Sequence, residues 1–537
     1  TKTAGENSRL YSAVEAVSDF ACKLGINVPT GKDSLSMTQK YPNGETVDSP
    51  GTVIISAVAE CSDIRKTISP DLKPVEGSSL LYIAFSNDDF KLGGSSFAQI
   101  VNQLGTDAPT VTDEEYFIKA FAAVQELINT DKILSGHDVS SGGLITTLLE
   151  MCFPVPGVGV NANVSELGSD TTKVLFSENA AIVIQVKDAA AVQSVLQKTG
   201  VKSVVIGTVV NERKLSLENN SVKPLDIDAL REKWFRTSYL LDKIQRPKGY
   251  AEKRRDNIFK QVLEYKFQPK FDGKLATYGL DPKRRKPAGI KAAIIREKGV
   301  NSDREMAYAL YIAGFDVKDV HMTDLMTGRE DLSEVNLIVF VGGFSNSDVL
   351  GSAKGWAGAF LYNPKAKAAL ENFYKRNDTL SLGVCNGCQL MMEMGLLYPE
   401  WKEKMHHNGS GKFECSFVNL TIPQNNSVML KSYEGAQIGV WMAHGEGQFV
   451  LPADKSKYTV AANYTFAEYP GNPNDSNFAV AALCSKDGRH LAIMPHIERS
   501  LFPWNWPHYP ANRKNDEVGP WFEAFSNARD WIKSIKG

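Results

Sequence analysis

Residues 379–395, TLSLGVCNGCQLMMEMG, place an apolar strand, an almost absent turn and an apolar helix end to end. Few backbones accept that. A strand that hands directly to a helix brings two backbones into close approach, and Gly383 and Gly387 leave room for it on either side of Cys385. This is a nucleophile elbow with Cys in the place of Ser. It sets Cys385 at a helix N-terminus, where the helix dipole favours negative charge. Cys388 follows one turn inside and is expected to be buried. The CxxC spacing also suits a redox pair or half a zinc site, but no second CxxC completes four ligands.

An elbow of this kind calls for a parallel sheet, and the pattern from Ala288 onward supplies one. GIKAAIIRE reads as a strand, NSDREMAYALYIAGF as a capped helix and VNLIVFVGG as a strand. Such alternation predicts a doubly wound α/β domain. A nucleophile needs a base, and the base needs an orienting group. In AIMPHIERS, His496 and Glu498 stand two apart at a strand end and point to the same side. In VFVGGFSNSDV, Gly342 and Gly343 follow a strand and offer uncrowded N–H groups for an oxyanion. Strand C-terminal ends gather at one sheet edge, so the three segments are expected to meet there.

Residues 1–227 read as mixed α/β. Helices are expected at 8–25 and 113–130, strands at 51–61, 79–86, 180–186 and 201–210, and a loop opening a helix at 93–105. Two polar loops stand out. INVPTGKDSLSM carries Lys32 and Asp33, and SGHDVSSGGLITTLLEM carries Asp138, Ser140 and Gly142–Gly143 before an apolar helix. A hydroxyl and two glycines opening a helix suit a phosphate, and an acid beside them suits magnesium. The same residues also suit an ordinary capped helix.

Between these regions, residues 231–286 hold 17 Lys/Arg against 7 Asp/Glu, a local charge of +10 in a chain whose total is −2. Two helices are expected there, with Trp234, Leu241, Ile258, Val262 and Tyr265 docking on neighbours. The segment reads as a linker pinned to acidic domains; no nucleic-acid-reading module accompanies it. The longest apolar runs, such as GTVIISAVA, are too short to span a bilayer. Seven scattered cysteines imply no disulfide framework, and no secretory signal opens the chain. A cytoplasmic location without nucleic-acid or membrane partners is therefore expected.

Gly383, Cys385, Gly387 and Gln389, with His496 and Glu498, resemble the motifs of class I (triad) glutamine amidotransferases. FVGGFSNSDVLGSAKGWA, GVCNGCQLM, MAHGEGQF and MPHIERS resemble, within that class, the amidotransferase domain of the phosphoribosylformylglycinamidine synthase family. LYSAVEAVSDFACKLGINVPTGKDSLSM and HDVSSGGL resemble the second half of that family's synthetase region, and KLGGSS and LFSENAA match it too. The resemblance implies a division into the end of a synthetase N-terminal-type subdomain (1–70), a synthetase C-terminal-type domain (71–227), a basic helical linker (228–287) and an amidotransferase domain (288–537). The first half would be an aminoimidazole-ribonucleotide-synthetase-like α/β lobe, with further lobes expected upstream.

The resemblance also implies chemistry. Cys385, His496 and Glu498 would form the triad, while Gly342, Gly343, Phe344, Asn386, Gln389 and His444, with the rest of the HGEGQ loop (444–448), would hold L-glutamine or its oxyanion. Asp138 would bind Mg2+, and Ser140 and Lys32 an ATP-derived nucleotide. Ser141 stands where the family has a second Asp. Ammonia would then serve an ATP-dependent, amidine-forming ligase acting on formylglycinamide ribonucleotide, whereas this chain by itself would be at most a slow glutaminase. Two other readings are a stand-alone cysteine hydrolase of the same fold and an ATP-binding scaffold with a relic amidotransferase domain. Gln389 and the synthetase-like first half weigh against the hydrolase, and the complete triad weighs against the scaffold.

Overall fold

The computed structural model describes residues 3–536 apart from Pro50, 219–221, Val262, 401–404 and 452–454. The chain divides into two compact units, Thr1–Arg236 and Thr237–Gly537. The boundary falls inside the helix Ile227–Gln245.

The first unit holds a seven-stranded sheet in the order 135–139, 181–186, 79–84, 203–210, 159–162, 214–217, 225–226. Its interior strand Ser79–Ala84 is apolar on both faces because both are covered. Leu80 and Tyr82 join one core with Leu144 and Leu148 of the helix Gly143–Cys152. Leu81 and Ile83, pointing the other way, join a second core with the helix Glu114–Asn129.

The helix Glu6–Leu24 forms as expected and closes at Gly25, yet it buries no residue. The strand expected at 51–61 is absent: this segment has no ladder partner, and Ile54 and Val58 are 84% and 99% exposed. β-Branched composition makes a strand only where a neighbour accepts its hydrogen bonds. The hairpin Thr38–Lys40 with Thr46–Asp48 does not extend to it.

In the second unit a nine-stranded sheet comprises β1 (Lys291–Arg296), β2 (Asp316–His321), β3 (Leu337–Phe340), β4 (Leu380–Val384), β5 (Glu414–Thr421), β6 (Gln437–His444), β7 (Thr459–Tyr464), β8 (Val480–Cys484) and β9 (His490–Ile493). The order is β2-β1-β3-β4-β9-β8-β7-β5-β6. The parallel arrangement expected from the sequence holds from β2 to β9. Beyond β9 the sheet continues in antiparallel strands, joined at β8–β9 by a turn too short for a parallel crossover.

The elbow sits on this sheet as its glycines require. A Cβ on Gly387 would lie 2.0 Å from the Phe340 carbonyl oxygen, and one on Gly383 would lie 2.6 Å from that of Gly387. The helix Asn386–Glu393 therefore rests directly on the ends of β3 and β4.

The first linker helix is present, but the second stops at Asn257 and spans only Tyr250–Asn257. The chain then leaves the helix, and Lys266 pairs with Gln437 along the open edge of β6. An unpaired strand edge offers backbone partners that a further helical turn would forgo. Trp234 stacks obliquely on Phe153, and Tyr265 meets Trp506 edge-on; Leu241 and Ile258 stay largely exposed, and Val262 lies outside the described residues. Within the second unit the linker's charges are neutralised locally. Arg246 is buried between Asp242 and Glu414, Tyr250 donates to Asp475 at 2.7 Å, and Arg284 pairs with Asp316 at 3.2 Å.

Candidate active site

Cys385 caps the helix Asn386–Glu393 with φ 52° and ψ −109°, a strained conformation that is 6% exposed. Such strain in a non-glycine residue persists only where the surroundings enforce it. Here the Cys385 N–H donates to Ile493 O at 3.0 Å, and Cys385 O accepts from the Gln389 N–H at 3.0 Å. Its thiol lies 3.5 Å from Ala443 O. Cys388 is fully buried, and burial raises its thiol far above the ordinary value, so it is inert packing.

His496 follows β9 and is 1% exposed. Its N–H donates to Trp441 O at 2.7 Å, which fixes its backbone against β6. The ring Nδ1 meets Glu498 Oε1 at 2.7 Å, and the ring is in hydrogen-bonding reach of the Cys385 thiol. Nδ1–H donation to a carboxylate selects the tautomer that turns Nε2 to the thiol. Burial pulls the imidazole down, but the charges of Glu498 and Cys385 outweigh it and raise it to about 9. Burial likewise pushes Glu498 up, and His496 with Arg499 more than reverses this.

Gly342 is wedged beside this pair: a Cβ there would lie 2.7 Å from His496 Cε1 and 3.3 Å from Cys385 Cβ. Its carbonyl accepts from the Asn301 N–H at 2.8 Å. The N–H groups of Gly343 and Asn386 have no hydrogen-bond partner among the described residues, although both residues are buried. Buried donors are rarely left unpaired, and two beside a thiol could receive a developing oxyanion. Phe344 does not contribute a third, because its N–H is already given to Gly299 O at 2.8 Å; its ring lines the cavity mouth near Phe413.

The cavity holds about 290 Å³ and is lined by Cys385, His496, Gln389, His444, Gly343 and Phe344 among others. Gln389 is not a free amide: it accepts from Asn386 Nδ2 at 2.9 Å and donates to Glu446 O, so it ties the elbow to the loop after β6. His444 bonds through Nδ1 to Asn408 Oδ1 at 3.0 Å. Burial and the nearby His496 press its pKa down to about 3, so it stays neutral. Asp348, Asn408 and Arg499 were missed by sequence reasoning, whereas Glu446 belongs to the loop 444–448 expected to hold glutamine and does line the cavity. Asp348 lies inside a motif quoted above, but nothing in one sequence separates a cavity carboxylate from a surface one.

In the first unit, Asp138 is the penultimate residue of the strand Ser135–Val139, with its carboxylate 76% exposed and 3.3 Å from His137 Nδ1. Ser140 is exposed beside it. Lys32 bonds within its own loop, to Ser34 Oγ at 2.5 Å, and is not joined to Asp138. The Gly142 N–H expected to face a phosphate is taken by Glu178 Oε1 at 2.8 Å, and the same oxygen accepts from Ser96 N at 2.8 Å. Glu178 thus draws together HDVSSGGL, KLGGSS and LFSENAA. No group of three His, Cys, Asp or Glu side chains suited to a metal occurs among the described residues. One exposed carboxylate fits only the magnesium mode in which phosphate oxygens and water complete the shell.

An elbow cysteine, a buried His–Glu pair and free N–H donors on a doubly wound sheet define a class I glutamine amidotransferase domain. Residues 289–532 match the model of the CobB/CobQ-like glutamine amidotransferase domain. Residues 76–219 match the C-terminal domain of AIR synthase related proteins, and residues 1–60 the FGAR-AT PurM_N-like domain. The chain belongs to the phosphoribosylformylglycinamidine synthase family. Over 99% of its length it is 38% identical to the probable phosphoribosylformylglycinamidine synthase, chloroplastic/mitochondrial, of Arabidopsis thaliana and to the phosphoribosylformylglycinamidine synthase of Homo sapiens. It spans 39% and 42% of those proteins. A solved chain titled "Structure of PurLQS from Thermotoga maritima" aligns with 46% of this chain and 100% of its own, at 25% identity and a TM-score of 0.36.

Proposed function

We propose that the chain is the glutamine-hydrolysing and nucleotide-binding C-terminal part of an ATP-dependent phosphoribosylformylglycinamidine synthase of purine biosynthesis. The observation that carries the reading is the buried Cys385–His496–Glu498 line beside the unpaired N–H groups of Gly343 and Asn386. His496 Nε2 takes the thiol proton, and the thiolate attacks the side-chain carboxamide carbon of glutamine. The N–H groups of Gly343 and Asn386 hold the oxyanion. His496 returns the proton to the departing nitrogen, leaving a γ-glutamyl thioester and ammonia. Water, deprotonated by His496, then releases glutamate and restores the thiol.

Ammonia serves an ATP-dependent, amidine-forming reaction on formylglycinamide ribonucleotide, for which upstream synthetase lobes are partners. Asp138 would hold Mg2+, which neutralises phosphate charge when bound, and Ser140 and Lys32 would face the nucleotide. The exposure of all three supports an open site. A cytoplasmic location belongs to the same proposal. An intact triad disfavours a relic domain, and the synthetase-type first half disfavours a stand-alone hydrolase.

The test is labelling with an electrophilic glutamine analogue, followed by peptide mapping. The label is expected on Cys385; a label on Cys388, or glutamate release surviving Cys385→Ala, would falsify the assignment. Calorimetry with ADP and magnesium checks the first unit: Asp138→Asn is expected to weaken the magnesium-dependent binding, and unchanged binding refutes its metal role.

A further inference from the structure

Arg499 follows Glu498 in the turn Ile497–Ser500 and has no part in the chemistry above. Its guanidinium donates from Nε to Ser302 Oγ at 2.8 Å and from Nη2 to Asn301 Oδ1 at 2.6 Å. Nε also stands 4.0 Å from Glu498 Oε1. Ser302 Oγ in turn donates to Asn301 Oδ1 at 3.4 Å. One cation thus gathers two side chains of the loop after β1 beside the His496–Glu498 pair.

That loop aims an oxyanion donor. The Asn301 N–H donates to Gly342 O and the Phe344 N–H to Gly299 O, each at 2.8 Å. Val300 and Gly343 therefore face each other as a non-hydrogen-bonded antiparallel pair. In such a pair each residue's own N–H and C=O point away from the partner segment. The lacing thus turns the Gly343 N–H outward from 299–301, and Gly343 lines the cavity together with Cys385. The two segments meet at backbone distance, since a Cβ on Gly343 would lie 2.6 Å from Asn301 N. Whatever moves 299–301 moves the donor.

Ser302 is held for Arg499 and not for its own helix. It stands at the N-cap of the helix Asp303–Ile312, where a serine hydroxyl ordinarily accepts from the first turn. Here it makes no such bond, although the residue is buried, and its φ of 64° is left-handed. The hydroxyl accepts from Arg499 instead. A strained cap that forgoes its own helix persists only where other contacts enforce it.

We propose that Arg499 is a positioning residue for glutamine hydrolysis: by clamping Asn301 and Ser302 it fixes 299–301, and through that segment the Gly343 N–H, relative to the triad turn from which Arg499 itself projects. The inference rests on the glutaminase reading and adds how its oxyanion donor is kept in register with its base. The donor matters as charge develops on the amide oxygen, so its misplacement lowers kcat and leaves KM in place.

The experiment measures glutamate release by the full chain carrying Arg499→Met, Asn301→Leu or both. Each single variant is expected to lower kcat about 10- to 100-fold with KM unchanged, the scale of a donor misplaced by near 1 Å. The double variant should fall no further than either single one, because both cut the same link. Arg499→Lys keeps the charge beside Glu498 but not the two-armed bond, and should stay as slow as Arg499→Met. Alkylation of Cys385 by iodoacetamide, a displacement that forms no oxyanion, should keep its rate and pH profile in Asn301→Leu. A raised KM at unchanged kcat means that these side chains hold substrate, and slowed alkylation means that they act on the thiol or its base. Additive losses mean two separate roles, and full kcat in Arg499→Lys puts the effect in charge alone. Each of these results overturns the proposal. If one single variant does not fold, the other decides. An unsubstituted chain that takes no electrophilic label on Cys385 fails as a glutaminase, whereas one that labels while Arg499→Met keeps its kcat fails only here.

Discussion

Gly342 offers the sharpest test of the proposed triad geometry, because a single methyl group there strikes the ring of His496, the proposed base. In Gly342→Ala the new Cβ would stand 2.7 Å from His496 Cε1, where ordinary contact begins at 3.4 Å, so the ring must give about 0.7 Å. It has little freedom to do so. Nδ1 is bonded to Glu498 and the backbone N–H to Trp441 O, and the new Cβ is itself held from shifting by Cys385 Cβ, 3.3 Å away. Strand retreat would break the Asn301 N–H bond to Gly342 O instead. A misplacement near 1 Å costs about 100-fold in rate, or about 2.7 kcal/mol of transition-state stabilisation. Since φ at Gly342 is not left-handed, alanine adds no backbone strain and folding should survive. The assay is glutamate release against glutamine concentration, paired with thermal unfolding. The expected result is a large fall in kcat, a slower rate of Cys385 labelling and a nearly unchanged Tm. A variant that folds normally and keeps its kcat shows that His496 is not held where the structure has it.

Glu498→Gln removes the charge that lifts His496 to about 9, so burial dominates, and the limb of the pH–rate profile set by His496 moves to lower pH as kcat falls about 10- to 100-fold; an unmoved limb counts against the pairing. Because folding raises His496 above its ordinary 6.5, the proton it holds stabilises the fold fully below about 6.5, and this fades as pH climbs through about 9. Glu498, lowered by folding, contributes above its ordinary 4.5 and loses that as pH falls; denaturation midpoints across pH check both. Arg246→Ala strands the buried Glu414 carboxylate and should cost about 3 kcal/mol by chemical denaturation, while Arg246→Met with Glu414→Leu recovers most of it. Cys388→Ala should cost about 1 kcal/mol and leave glutaminase activity in place, in contrast to Cys385→Ala.

The elbow was legible because its cause is local: Gly383 and Gly387 are needed where a helix meets two strand ends at backbone distance, and both lie within two residues of Cys385. The His496–Glu498 pairing was legible from its short spacing, but not for the expected reason: only His496 is extended, and Glu498 lies in the 3-10 turn Ile497–Ser500, from which its carboxylate reaches Nδ1. The partners that complete the cavity were not. Asn408 reaches His444 across 36 positions, and Glu446 reaches the Gln389 amide across 57; no periodicity encodes such pairs. The first unit shows the converse limit. Residues 51–61 have strand composition but no neighbour in the sheet, and the linker beyond Asn257 has helical spacing but is claimed by the edge of β6. In both places tertiary partners decide what local preference leaves open. The helix opening at Gly142 read as a phosphate seat, and Glu178, 36 residues away, already occupies its N–H.

Cys385 and His496 hang from the two strands that pair in parallel at the centre of the sheet, β4 and β9, with Val384 opposite Ile493. Their own amides are hydrogen-bonded to Ile493 O and Trp441 O. Amides so placed exchange with solvent only when the whole sheet opens, whereas the strained, half-exposed turn at 344–353 can open by itself. The two halves of the site therefore belong to different cooperative units. On warming, hold on the substrate should fail before the nucleophile does, with KM climbing through temperatures at which Cys385 still reacts at its full rate.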